Sequence, residues 1–414
     1  MSTEYESLKQ LFQQEFSKMV AVISKQFGLQ HMETAEDIVS DTFLQAAETW
    51  GVKGIPENPA AWLYAVAKQK TLYQFRRNKT FEEKVVPQIG ANANTTGELN
   101  FSEQSIKDSQ LQMLFAVCNP AIAGEAQIGL ALRILCGFGI DEIAEAFFSN
   151  KETINKRLSR AKEKLRAEKV NMELPPENTL AGRLDNVLHI IYLLFSEGYF
   201  SKTQNQVLRK ELCAEAIRLA ILLTEYNRTN LPKTNALLAL MCFHASRFDA
   251  RQACSPEEGF ILYDNQDEAL WDTELIRRGI RFLSRATQGS EISSYHLEAR
   301  IASLHCRKED TPEKWEEILD LYDQLLLMKY SPAVVLNRIY ALYRVNGISE
   351  ALAEAEKLKW DNNHFYFLLL GELVKNDDKK RAVFYFQKAM NLSKTQTEKN
   401  AIKQKLKEIQ SPSL

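Results

Sequence analysis

Apolar positions recur with a helical period along most of the chain. Leu8, Leu11, Phe12, Phe16, Met19, Val20 and Ile23 line one face of a first helix that ends near Gly28. A second helix begins near Glu33 and turns Ala35, Ile38, Val39, Thr42, Phe43 and Ala46 inward, leaving Glu36, Asp37, Ser40, Asp41 and Glu48 outside. Pro56 and Pro59 break the pattern, and a third helix is predicted from Ala60 through Lys79. An apolar run from Leu111 to Leu135 follows. A short helical pattern, Asp141 to Phe147, then meets a polar break at Ser149-Asn150. The next helix, Lys151 to Arg166, repeats Ile154, Leu158, Ala161 and Leu165 on one face. Beyond Leu174-Pro175-Pro176-Glu177-Asn178 the patterns remain helical, as in Ile190–Phe195, Leu212–Leu223 and Ala236–Phe243. The chain reads as all-α.

Interruptions in this pattern divide the 414 residues into four parts. Residues 1–83 form a helical module. Residues 84–110, containing Val86-Pro87-Gln88-Ile89-Gly90-Ala91-Asn92, have no apolar period and are rich in turn formers, as a flexible linker is. Residues 111–170 form a second module, and 171–414 a long helical extension. With only 11 Pro and 16 Gly, long regular helices are expected. The six cysteines (118, 136, 213, 242, 254, 306) include no CxxC pair, which argues against a zinc site or a disulfide framework and fits a reducing cytoplasm. Cys118 and Cys136 read as small core residues. No apolar run reaches the length of a bilayer span, so no membrane association is expected.

The net charge of −2 hides strong local segregation. From Lys151 to Lys169 there are eight basic residues and three acids. With the short helix and break before it, this is the build of a helix-turn-helix, whose second helix enters the major groove. Glu152, Lys156, Ser159 and Arg160 lie opposite its apolar face, and flanking cations would neutralise phosphates. The turn lacks the common glycine: Phe148 stands near its place, and Asn150 is able to take a left-handed backbone. Between Asn58 and Thr80 there is no acid, whereas Lys68, Lys70, Arg76, Arg77 and Lys79 alternate with Trp62, Tyr64, Tyr73 and Phe75. Cations interleaved with aromatics suit single-stranded nucleic acid, with Tyr73 the better stacking candidate and Trp62 closer to core spacing. The acidic side of the second helix reads either as a solvated face or as a docking surface for a basic partner.

Two stretches carry a family resemblance. Ala35-Glu36-Asp37-Ile38-Val39-Ser40-Asp41-Thr42-Phe43-Leu44-Gln45-Ala46, Pro59-Ala60-Ala61-Trp62-Leu63-Tyr64-Ala65-Val66-Ala67 and Arg76-Arg77 resemble region 2 of a bacterial extracytoplasmic-function sigma factor of the sigma-70 family. Glu142-Ile143-Ala144, Thr153-Ile154 and Arg157-Leu158-Ser159-Arg160-Ala161 resemble region 4 of the same family. The resemblance covers residues 1–170 and implies roles by position. Glu36, Asp37, Ser40 and Asp41 would dock on the β′ clamp helices of core RNA polymerase. Trp62, Lys68, Lys70, Tyr73, Arg76 and Arg77 would hold the −10 promoter element as a single strand. Glu152, Thr153, Asn155, Lys156, Arg157, Ser159 and Arg160 would read the −35 element of promoter DNA, with region 4 near the β flap. Lys68-Gln69, Tyr73, Ser40, Glu152 and Asn155-Lys156 depart from the common pattern and bear on promoter sequence.

Residues 171–414 show weak self-similarity: Ile348–Ala355 recurs in style as Lys379–Ala389, a period a little over 30 residues, close to that of tetratricopeptide repeats. The extension, including Glu197-Gly198-Tyr199 and Gln266–Trp271, resembles that of a sigma subgroup with a tetratricopeptide-like tail that influences activity. A concave face on it would accept a protein or peptide partner. The polar stretch 263–272 reads as a loop followed by a helix capped by Asp264 or Asn265. The six histidines have no ligand spacing, and no phosphate loop or nucleophile elbow occurs, so neither metal nor cofactor nor catalysis by this chain is expected. The other reading is a stand-alone helix-turn-helix regulator with a tetratricopeptide-like sensor domain. It leaves the acidic helix and the basic–aromatic helix without a role.

Overall fold

The computed structural model describes residues 2–85, 99–147, 149–199, 206–251, 261, 265–394 and 396–410. Among these the chain is helical, without strands. It forms two compact units, residues 1–223 and 224–414.

In the first unit, α1 (Ser2–Phe27) is the central element. It packs against α2 (Met32–Lys53), α3 (Pro59–Val85) and α4 (Glu103–Val117). Phe16, Met19, Val20 and Ile23 are fully buried, as their spacing predicts. α1 stops at Gly28, whose φ of 94° lies in the region open to glycine. α2 buries Ala35, Ile38, Val39, Thr42, Phe43 and Ala46. α4 begins inside the segment expected to be linker, because Ser102 accepts a hydrogen bond from the Ser105 amide and starts the helix. Within that expected linker, residues 86–98 lie outside the described residues.

α5 (Gly124–Leu130) runs on into a π-helical turn, Ala131–Leu135. α6 (Ile140–Ala146) and α7 (Lys151–Ala167) form the helix-turn-helix. Asn150 is extended (φ −99°) rather than left-handed, and its side chain caps α7 by accepting from the Thr153 amide at 2.8 Å. Phe148 lies outside the described residues.

The compact unit does not end at the expected boundary at residue 170. α8 (Glu177–Tyr199) and α9 (Gln206–Thr224) satisfy carbonyls at the ends of the preceding helices. Arg183 donates to the Phe115 carbonyl, Asn186 to that of Cys118 at 2.8 Å and to Gln127 Oε1 at 2.9 Å, and Arg218 to that of Leu135 at 2.6 Å. A carbonyl left unpaired in such a place is costly, so the first helices of the extension complete the helix-turn-helix module.

In the second unit, α10 (Pro232–Ala245) is buried along almost its whole length because α11 (Thr273–Ala286) and α12 (Ser294–Leu304) pack against it. Asp267 and Asp272 cap the 268–270 turn and α11, by accepting from Ala269 and Leu275 at 2.9 Å. These, and not Asn265, are the caps; Asp264 is outside the described residues. The array continues through α13 (Pro312–Met328), α14 (Pro332–Asn346), α15 (Ile348–Leu358), α16 (His364–Val374), α17 (Lys379–Leu392) and α18 (Gln396–Gln410), each packed on its neighbours. α14, α16 and α18 begin at 332, 364 and 396, a spacing of 32 residues. One apolar cluster centres on Trp315 and Ile318, and a second on Tyr366, Leu370 and Phe386.

Candidate nucleic-acid interface

α7 divides its residues by face. Ile154, Leu158, Ala161 and Leu165 are buried, with α7 packed on α5, α6 and the turn Leu29–His31. Glu152, Thr153, Asn155, Lys156, Ser159 and Arg160 are exposed. Lys156 pairs with Glu152 at 2.6 Å across one turn, so both are held on the outer face. Arg157 is half-buried instead: it pairs with Glu125 at 3.0 Å and lies over the Phe147 ring, 5.8 Å from its centroid. Its guanidinium braces α7 to α5, a role that the sequence pattern did not distinguish from base reading. An α-helix with this polar edge fits a major groove.

On α3, the aromatic residues separate into tethered and presented rings. Phe75 stacks on Phe27, with centroids 3.6 Å apart and planes within 7°. Tyr64 stacks on Phe101 at 4.8 Å and donates its hydroxyl to Glu15, and burial with that carboxylate pushes its phenol upward in pKa. Neither is presented for base stacking. Trp62 is half-buried edge-to-face on Trp50 at 5.3 Å. Tyr73, 67% exposed, is the ring on display. Lys70 donates to the Asp41 carbonyl at 3.0 Å, joining α3 to α2; Lys68 is half-buried and Arg76 exposed. The Arg77 side chain lies outside the described residues.

The acidic side of α2 also splits. Asp37, Ser40 and Asp41 are exposed together with Leu44, but Glu36 is only 7% exposed. The expectation that Glu36 faces outward is corrected: one carboxylate oxygen accepts from Arg133 Nε at 3.0 Å and the other from Lys162 Nζ. Nearby, Arg166 Nη2 lies 3.3 Å from Glu33 Oε2. Sequence reasoning missed Arg133, Lys162, Arg166 and Glu33. Complementary spacing was present, i,i+4 cations on α7 and i,i+3 acids on α2, but nothing in a linear pattern pairs residues 126 positions apart.

Comparison with known proteins bears on what this arrangement serves. The Sigma-70 region 2 family model matches residues 12–81, which span most of α1, all of α2 and most of α3. This part of the chain is a sigma-70 region 2, which supports a sigma factor of the sigma-70 family. A sigma factor acts in transcription initiation, with core RNA polymerase and promoter DNA as its partners. Residues 183–287 of this sigma factor match a family of unknown function (DUF6596). An uncharacterized protein of Rhizobium meliloti (strain 1021) is 32% identical over 353 residues, 83% of this chain and 82% of that protein, so the two belong to one family. No solved structure matches. Among the described residues, no helix is long and apolar enough to cross a membrane, and no group of side chains is arranged to hold a metal ion.

Proposed function

We propose that this sigma factor is of the extracytoplasmic-function type, with a tetratricopeptide-like extension that modulates its activity. α2 docks on the β′ clamp helices of core polymerase through Asp37, Ser40 and Asp41. α3 holds the −10 element through Tyr73 and the basic residues around it, and α7 reads the −35 element with its exposed edge, near the β flap. The observation that carries this reading is the division of α7: a helix with an apolar face sealed by the elements packed on it and a polar, cationic face left open suits duplex recognition. The 32-residue spacing of α14, α16 and α18 supports a repeat that presents a surface to a protein or peptide. The protein then works in the cytoplasm, where polymerase is.

The test is transcription from a library of promoter fragments by purified core polymerase with the full chain. Promoter-dependent transcripts are expected, lost together with core binding when Asp37→Lys and Asp41→Lys are introduced. Duplex binding without any transcript would instead mark a free-standing regulator.

A further inference from the structure

We propose that the outward face of α17 is a second DNA contact, a clamp on duplex phosphates that lies in the extension and outside the helix-turn-helix. The proposal needs promoter DNA as a partner but not the assignment of α7 to the −35 element.

Basic residues gather at the end of the chain. From Lys379 to Gln410 there are nine of them and two acids, in a chain of net charge −2. Some hold the fold together: Arg381 pairs with Glu356 at 2.5 Å, and Lys405 with Glu372. Others do not. Lys379, Lys380, Lys394 and Lys403 are exposed, and among the described residues no carboxylate pairs with their ammonium groups. Lys388 is held by rings instead. Its Nζ lies 4.8 Å from the centroid of Phe384 and 5.1 Å from that of Phe367. An aromatic face fixes an ammonium in place and leaves its charge standing, whereas a carboxylate would cancel it.

Helix geometry sets these groups in a row. Ala382, Phe386 and Ala389 of α17 are buried, and the helix packs on α16 and α18. Lys380, Phe384, Gln387, Lys388 and Asn391 are exposed, at spacings that keep them on one face. α17 contains no acid. Asp377 and Asp378 precede it, and Asp378 is committed to the cap by accepting from the Arg381 amide at 3.0 Å. The rise from Lys380 to Lys388 is about 12 Å, close to the roughly 12 Å width of a major groove, so the two ammonium groups reach phosphates on its two sides. Gln387 and Asn391 add amide donors, a type that also serves phosphate oxygens. A peptide partner would draw on an apolar centre, but Phe384, the ring exposed on this face, is taken up by Lys388. Phosphate contacts carry no sequence information. Tied to α7 through the chain, they raise the local concentration of duplex for the reading helix.

The test is salt-dependent binding of the full chain to a short fluorescent duplex of arbitrary sequence, followed by anisotropy. Lys380→Gln with Lys388→Gln removes two phosphate contacts, with helix content checked by circular dichroism. The slope of log affinity against log salt is expected to become shallower by about 1.8, which is about 0.9 per contact. Wild type then loses about 12-fold more affinity than the variant between about 50 and 200 mM salt. Lys380→Arg with Lys388→Arg is expected to keep the wild-type slope. Lys329→Gln with Lys357→Gln takes the same charge from exposed positions elsewhere in the unit and is expected to leave the slope unchanged. An unchanged slope in the Lys380 and Lys388 glutamine variant overturns the proposal, and so does an equal change in the Lys329 and Lys357 pair. Polyglutamate is the competing probe: if its binding is lost in the glutamine variant while the DNA slope holds, α17 serves an acidic protein and the proposal falls. Lys156→Gln with Arg160→Gln is expected to lower the slope independently. If that pair is silent while the α17 pair registers, the assignment of α7 fails and this inference stands.

Discussion

Replacing Gly198 by alanine should loosen the joint between α8 and α9. The two helices touch backbone to backbone there. A Cβ on Gly198 would lie 2.7 Å from the Arg209 carbonyl oxygen, 2.8 Å from Cys213 Sγ and 3.0 Å from the Cys213 amide nitrogen. Two of these three atoms are backbone, so no rotamer change relieves the clash; the helices must part by roughly 0.5–1 Å to reach van der Waals distance. Overpacking of this kind costs about 1–3 kcal/mol. Arg209 is 6% exposed and donates to the carbonyls of Gly198 and Tyr199, each at 3.1 Å. Stretching those bonds adds about 1 kcal/mol. Alanine gains back about 0.5–1 kcal/mol as the better helix former, leaving a net loss of about 1–3.5 kcal/mol. Gly182 supplies the control on the same helix, since nothing lies within 4 Å of a Cβ placed there. Gly182→Ala should stabilise by about 0.5–1 kcal/mol through propensity alone. Hydrogen exchange of α8 amides in the full chain reads both, each 1.4 kcal/mol being about a tenfold change in protection. Equal or greater protection in Gly198→Ala would refute the close approach as the reason for glycine at that position. Loss of protection in Gly182→Ala would refute the claim that the two sites differ in space.

Lys156→Ala with Arg160→Ala should weaken binding to a −35 duplex by about 1–3 kcal/mol for each base-reading side chain removed; a fluorescence-anisotropy titration with unchanged affinity would count against α7 as the reading helix. Tyr73→Ala should slow promoter opening, followed by permanganate reactivity of unpaired thymines, while −35 duplex affinity holds; equal opening would remove the stacking role. Glu298, pushed up to about 7 chiefly by burial and only partly offset by Lys329, gives a pH signature. The folded state keeps its proton above the range where the unfolded carboxyl, near 4.5, has lost it, so this group's contribution is present below about pH 4.5 and is lost as pH rises through about 7. The stability of wild type relative to Glu298→Gln should therefore fall by about 2–3 kcal/mol across that window in urea unfolding; a flat or rising difference would refute it.

Helix positions were legible in the sequence because the helical period depends only on neighbours three and four residues away. The residues expected to face inward on α2 and α7 are all buried, with Glu36 added to them on α2, and the break between α6 and α7 was marked by a local capping residue, Asn150. The charge division between α2 and α7 was also present in composition. Tertiary structure decided which charges are available. Glu36 and Asp37 are adjacent in sequence and equally acidic, yet one is buried between Arg133 and Lys162 and the other is exposed. Arg157 and Arg160 stand on one basic helix; the first is tied down by Glu125, and the second is exposed. Tyr64, Tyr73 and Phe75 carry the same aromatic signal, but only Tyr73 has no ring stacked against it among the described residues. The joint between α8 and the helix-turn-helix module was hidden for the same reason, since an unsatisfied carbonyl at a helix end attracts whatever donor the fold brings near. Periodicity records how a residue relates to its own helix, whereas ion pairs and ring stacking depend on which helix arrives from far along the chain.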